Sequence, residues 1–169
     1  IIICLQRIIQ GKNNKQYEQY KYFEQQEKYV KKEEFKKLIY PMFISGYMLN
    51  AMWTNCIKRE YLENINLDKY TNILYGEDLM YNLEIFSNIQ NAVFLEDVLY
   101  RYNTNENSIT RTRKVERLLK NLEDSIVIYT SLYIYLEKWD MLTSEYISKV
   151  KERIQKETSS IINLIKEKT

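Results

Sequence analysis

The sequence contains no histidine. That absence excludes Ser-His-Asp and Cys-His catalysis, and any histidine-ligated metal site, within these residues. Cysteine is scarce too: Cys4 and Cys56 form neither a CxxC pair nor a zinc-ligand spacing. They read as reduced, buried thiols of a cytosolic protein. No block of one charge sign stands out and the net charge is only +2, so nothing argues for a nucleic-acid partner. The charge-dense run from Lys28 to Lys37 is balanced by Glu27, Glu33 and Glu34 and reads as a solvated helix face. No apolar run approaches the roughly 20 residues of a membrane span. The opening Ile1-Ile2-Ile3-Cys4-Leu5 is apolar but has neither the basic region nor the cleavage site of a signal peptide. It begins without Met, inside a strand-like run, as a piece of a longer chain would.

What is present suits one compact domain with a helical appendage: 169 residues, of which 45% are hydrophobic. The sixteen tyrosines, with many Ile, Asn and Lys residues, look like the bias of an AT-rich genome. No single Tyr is therefore a functional signal.

Residues 1–9 are β-branched and apolar and predict a strand. Gly11-Lys12-Asn13-Asn14 is a turn cluster, and 15–23 would be the returning hairpin strand. Phe35, Leu38 and Ile39 predict a helix over 31–40, which Pro41 should end or kink. Residues 51–57 read as a short buried strand, and Lys58 to Leu62 as the start of a short helix. Gly76 closes a loop and Glu77-Asp78 opens a helix whose Leu79, Leu83 and Phe86 share one apolar face, with Met80 beside them. Two short strand-like runs, 92–95 and 98–102, flank Glu96-Asp97. The polar stretch 103–110 reads as a loop.

The last third is helical. Val115, Leu118, Leu119, Leu122, Ile126, Tyr129, Tyr133 and Leu136 fit one stripe. Ile147, Val150, Ile154, Ile161 and Ile165 fit another. Asp140 to Ser144 supplies the break, with Thr143 or Ser144 as N-cap. Two long helices joined by a short turn should pack as an antiparallel hairpin.

Chemistry is most legible at Glu77-Asp78. Two acids at a helix start satisfy the N-terminal dipole and its free N–H groups, so the pair alone reads as capping. Its neighbours change the weight. Upstream lies Met52-Trp53-Thr54-Asn55-Cys56-Ile57-Lys58-Arg59-Glu60-Tyr61-Leu62. Downstream lie Val98-Leu99-Tyr100-Arg101-Tyr102-Asn103 and Asn107-Ser108-Ile109-Thr110. This ordered set resembles the second half of family 2 glycosyltransferases of the GT-A fold. There a Trp-bearing strand and a K-R-x-x-L helix start precede a (G)-E-D helix. An L-Y-x-Y strand and an S-x-T or S-x-S loop follow. The resemblance covers about residues 1–112.

The fold that the resemblance implies is α/β: an incomplete, Rossmann-like GT-A C-terminal half with few short strands over 1–111. A two-helix antiparallel hairpin follows over 112–169. The implied reaction is inverting transfer of a sugar from a nucleotide-sugar donor to a saccharide or lipid-linked acceptor. It is a single in-line displacement, in which a carboxylate takes the proton of the attacking hydroxyl. The second acid of the pair has that role, which maps to Asp78. An exposed Asp ionises near pH 4 and needs no tuning. Glu77 would hold the helix start or an acceptor hydroxyl.

Trp53 reads as a core aromatic or as a stacking surface for a sugar ring. Lys58 and Arg59 read as exposed bases or as partners of a donor diphosphate or acidic acceptor. Tyr100 and Tyr102 share a strand face, with packing as the default, and Arg101 points the other way. The loop 103–111, with Ser108 and Thr110, reads as a surface connection or as a cover for the donor site. In the second case Arg111 and Arg113 would meet phosphates.

The family also carries an acidic D-x-D that holds a divalent metal, Mg or Mn. No D-x-D occurs here, so the donor and metal sites are expected outside this chain and no metal within it. The expected setting is cell-surface polysaccharide synthesis in the cytoplasm, including the inner face of the membrane. The competing expectation is a non-catalytic module that docks a partner protein or a second copy through the C-terminal helices. In that case Asp78 should be buried as a cap rather than face a cleft.

Overall fold

The computed structural model describes residues 2–10, 16–17, 27–45, 50–63, 65–103 and 114–168. Among the described residues five strands and four α-helices follow one another: β1 (Ile2–Gln10), β2 (Gln16–Tyr17), β3 (Glu27–Lys31), α1 (Lys32–Ser45), β4 (Asn55–Cys56), α2 (Glu77–Asn88), β5 (Asn91–Asn103), α3 (Val115–Lys138) and α4 (Ser144–Lys166). The fold is mixed α/β and mostly helical.

The strands form a mixed sheet in the order β2-β1-β5-β3, with β4 also pairing β1. β1 and β5 run parallel, from Ile2 opposite Val93 to Gln10 opposite Asn103. β2 and β4 pair antiparallel with the two ends of β1, and β3 pairs antiparallel with the first half of β5. The expected hairpin return is thus present at Gln16–Tyr17; the rest of 15–23 lies outside the described residues. The two short runs expected around Glu96-Asp97 are one 13-residue strand. Register shifts between Cys4 and Arg7 place the extra residues in β5 between Leu95 and Tyr100. The polar pair is absorbed as a β-bulge rather than ending the strand.

α1 does not stop at Pro41 but runs to Ser45. Proline removes one backbone donor, but Tyr40, Phe43 and Ile44 are all buried on either side of it. The burial of each such side chain stabilises by about 1.5–3 kcal/mol, enough to carry the helix past the lost bond. Tyr40 also donates to the Phe86 carbonyl at 2.9 Å, and burial pushes its phenol up to about 12.

One apolar core joins sheet and helices. It contains Val30 and Phe94 from the sheet, Phe35 and Phe43 from α1, and Leu83 and Phe86 from α2. Ile128, Leu132, Leu136 and Trp139 complete it from the hairpin side. Phe35 meets Phe86 edge-on at 5.4 Å and Phe94 nearly parallel at 6.3 Å, arrangements that suit aromatic quadrupoles. The hairpin therefore packs on its own chain: Trp139 stacks on Tyr40 at 3.8 Å and donates its indole N–H to Ser87 Oγ at 2.7 Å.

Thr143 is the N-cap of α4, accepting from the Tyr146 N–H. The buried stripe of α3 differs from the expected one. Leu118, Tyr129 and Leu136 are buried, but Leu119 and Ile126 are about half exposed at 47% and 49%. Ile128, Leu132 and Tyr135 take the inward places instead, because α3 must face both α2 and α4. Among the described residues no helix is long and apolar enough to cross a membrane.

α4 buries a carboxyl, Glu157, whose burial raises its pKa above the ordinary value. The protonated form is then favoured by folding. Its contribution is present below the ordinary Glu range and is lost as pH rises through the raised value. Glu157→Gln should therefore raise the melting temperature at pH 7, and the gain should vanish below about pH 4. Thermal melts of both proteins across pH check this.

Candidate functional site

The turn before α2 is held from a distant helix. The Leu74 N–H donates to Asp124 Oδ2 at 2.9 Å, and Arg117 Nη2 donates to the Leu74 carbonyl at 2.6 Å. Asp124 is buried on α3 and paired with Lys120 at 2.6 Å. Both backbone groups of one loop residue are thus clamped by α3. Two residues later Gly76 adopts φ +81°, a left-handed conformation that costs a side-chain-bearing residue roughly 1–2 kcal/mol. A Cβ there would also lie 2.9 Å from Ile128 Cδ1. Glycine thus lets the chain turn sharply under α3 and enter α2 with Glu77 and Asp78 in its first turn.

Asp78 and Asn82 are one helical turn apart and hold the segment 50–55 against α2. Asp78 Oδ2 accepts from the Met52 N–H at 3.3 Å. Asn82, fully buried, donates to the Asn50 carbonyl at 2.8 Å and accepts from Asn55 Nδ2 at 3.0 Å. Asp78 is half-buried. Burial raises its pKa, the Met52 N–H opposes that, and the nearby Glu77 charge adds to the rise. The expectation of an exposed, untuned Asp is corrected accordingly: this carboxylate is partly desolvated and is a stronger base than a free one.

The segment that Asp78 pins also differs from its sequence reading. Residues Met52–Thr54 form a 3-10 turn and only Asn55–Cys56 pair as a strand. The strand is two residues long because it meets only the first residues of β1. Cys56 is exposed rather than buried. Trp53 is half-buried and stacks on Tyr100 of β5, with ring centroids 4.5 Å apart.

A cavity of about 250 Å³ opens beside Asp78, between the start of α2, the segment at Asn50 and α3. Asn50, Tyr75, Asp78, Ser125, Ile128 and Tyr129 are among its lining residues. Two of its lining residues carry a buried polar atom without a hydrogen-bond partner, Asn50 Oδ1 and Ser125 Oγ. Tyr129 lies under the Arg153 guanidinium, 5.0 Å from ring centroid to Cζ. Burial, the largest influence on it, raises the Tyr129 phenol above its ordinary pKa, so it is a neutral wall and not a base.

The sequence-named residues do not all gather here. Glu77 and Asp78 sit at the helix start as expected. Lys58 and Arg59 are largely exposed and lie near Glu60 and Glu63, at 3.8 and 3.6 Å. Trp53 is not among the cavity-lining residues. Ser108, Thr110, Arg111 and Arg113 lie outside the described residues. Among the described residues no group of three or more Cys, Asp or Glu is placed to hold a metal ion.

Sequence reading missed Asn50, Ser125 and Asn82. A signal existed for the last two. Asn82 sits between Leu79, Leu83 and Phe86 on the inward side of α2, and Ser125 between Leu118, Ile128 and Leu132 on that of α3. A polar residue on an apolar stripe is the informative exception. The chain matches no protein-family model, no curated protein and no solved structure.

Proposed function

We propose that this chain is the acceptor-side part of an inverting GT-A glycosyltransferase, with Asp78 as its general base. The observation that carries this is the placement of Asp78: a half-buried carboxylate on a rigid helix start, lining a cavity together with Asn50 and Ser125, which carry buried polar atoms. The order of the Trp53, Gly76-Glu77-Asp78 and Tyr100 elements supports it. So does their assembly, since Asp78 holds the N–H of Met52 and Trp53 stacks on Tyr100.

In the proposed reaction an acceptor hydroxyl lies beside Asp78, which takes its proton as the oxygen attacks the anomeric carbon. A raised pKa makes the Asp78 carboxylate a better proton acceptor than a free one. The helix start fixes its direction, and the α3 clamp on Leu74 fixes the helix start. The nucleotide-sugar donor and its Mg or Mn ion belong to residues outside this chain, in a cytoplasmic enzyme of cell-surface polysaccharide synthesis. The test is sugar transfer by the longer polypeptide, compared with its Asp78→Asn form. This chain alone should show no turnover of a nucleotide sugar in a coupled nucleotide-release assay. Turnover by it would overturn the placement of the donor site elsewhere.

A second reading, a protein-docking module, is favoured by one observation. Leu119, Ile126, Val127 and Ile134 leave α3 with an exposed apolar strip, 47–65% accessible. In that reading Asp78→Asn leaves transfer by the longer polypeptide unchanged.

A further inference from the structure

The exposed residues Leu119, Ile126, Val127 and Ile134 recur at seven- and eight-residue steps, so they share one face of α3. At 1.5 Å per residue the strip runs for about 22 Å. A contiguous apolar surface of that kind marks an interaction site. The charges at its two ends say what covers it. Glu116 lies eleven residues before Val127 and Lys138 lies eleven after it, and both are exposed. The distance between them is about six helical turns, so both side chains leave the same side of α3. If two α3 helices pair antiparallel with Val127 on the two-fold axis, Glu116 of each copy stands opposite Lys138 of the other. Lys138 already lies near Glu84, at 3.7 Å, but its side chain is 45% exposed. An ammonium has three donors, so it can serve a second carboxylate. Glu123, also exposed on this face, comes opposite Ser131 in the same register. Against a lipid surface that charge would meet no polar group, which costs free energy.

A knob and a cavity fit the same register. Leu74 is half exposed, and its backbone is clamped to α3 by Arg117 and Asp124. A cavity of about 380 Å³ lies further along the helix, beside Val127, Ser131, Ile134 and Tyr135. Its opposite wall includes Lys69 and Ile73, and Leu74 follows Ile73 directly, so knob and cavity lie on one flank of α3. Pairing about Val127 sets positions 117–124 of one copy against positions 130–137 of the other. Leu74 of each copy then meets the cavity of the other. An isologous interface requires this kind of reciprocal, self-complementary match.

We infer that two copies of this chain associate through α3, antiparallel about Val127, each placing Leu74 in the other's cavity at Ile73 and Ile134. This names the partner in the docking reading, and it holds whether or not Asp78 is a base.

Sedimentation velocity of the whole chain over a range of concentrations tests it. The mass should rise from one copy to two and stop there, with a Kd of about 1–100 µM, as for a small interface. Leu74→Asp should weaken the dimer by at least about a hundredfold, because each dimer loses two buried leucines. Val127→Lys brings two ammoniums together on the axis and is a second probe at an exposed position. It should also abolish the dimer, with the circular dichroism of the chain unchanged. Glu116→Lys and Lys138→Glu should each weaken association about tenfold, and the double variant should recover the native affinity. That recovery is specific to the paired register, since a merely structural role for either residue would not produce it. A chain that is monomeric at every concentration, growth past two copies, unchanged affinity in Leu74→Asp or in Val127→Lys, or no recovery in the double charge reversal overturns the inference. None of these outcomes bears on Asp78, which is tested separately by transfer in the longer polypeptide.

Discussion

Asp78→Asn should lower sugar transfer by the longer polypeptide by about 10²–10⁴-fold, the usual worth of a positioned general base. Donor binding should be nearly unchanged, because the proposed function puts the donor site in other residues. The loss should appear in kcat rather than in the donor KM. Asparagine keeps the shape and can still accept from the Met52 N–H, so the loss reports on proton transfer and not on a collapsed segment. Steady-state kinetics at saturating donor measure it, and retained turnover would sink the assignment.

The same substitution has a signature in the isolated chain. Burial raises the Asp78 pKa above its ordinary value of 3.8. Folding thus favours the protonated form, and stability is lost as pH rises through the raised value. Asparagine stays neutral and escapes that loss. Asp78→Asn should therefore melt higher than the native chain at pH 7, and the two should converge below about pH 4. A group kept only as a structural cap would show the opposite sign.

Trp139→Ala should be the most damaging single truncation in the hairpin, costing about 3–5 kcal/mol. Trp139 is buried, stacked on Tyr40 at 3.8 Å, set against Tyr135 at 5.5 Å and hydrogen-bonded to Ser87 at 2.7 Å. Its removal leaves a cavity where α1, α2 and α3 meet and takes away the indole donor to Ser87 Oγ, which keeps its own bond to the Leu83 carbonyl. Against a total of about 5–15 kcal/mol for a typical domain, the variant is near its unfolding threshold. Trp139→Phe keeps most of the packing and loses the indole donor, so it should cost about 1–2 kcal/mol. Urea denaturation of the two variants orders them. Equal midpoints would show that the stack contributes little.

Local signals in the sequence were enough for several elements. Leu79, Leu83 and Phe86 mark α2 by their spacing, Gly76-Glu77-Asp78 marks its start, and Thr143 caps α4. Each of these depends on residues within one or two helical turns, where side-chain periodicity and capping chemistry act. Other features needed the whole chain. Pro41 stays helical because Phe43 and Ile44 are buried beyond it. Glu96-Asp97 stays in a strand because β1 pairs across the bulge. The face of α3 turns inward at Ile128 and Leu132 because two other helices compete for it.

The Gly-Glu-Asp start at residues 76–78 was thus determined by the sequence itself: a glycine that turns, then two acids where a helix dipole favours them. Only the tertiary structure decided what Asp78 faces. Asn50 lies 28 residues before it and Ser125 lies 47 residues after it, and no local periodicity encodes that meeting. Packing of α3 over Gly76 brings them together. It partly desolvates the Asp78 carboxylate and leaves the Ser125 hydroxyl without a protein partner, which turns a helix start into a cavity.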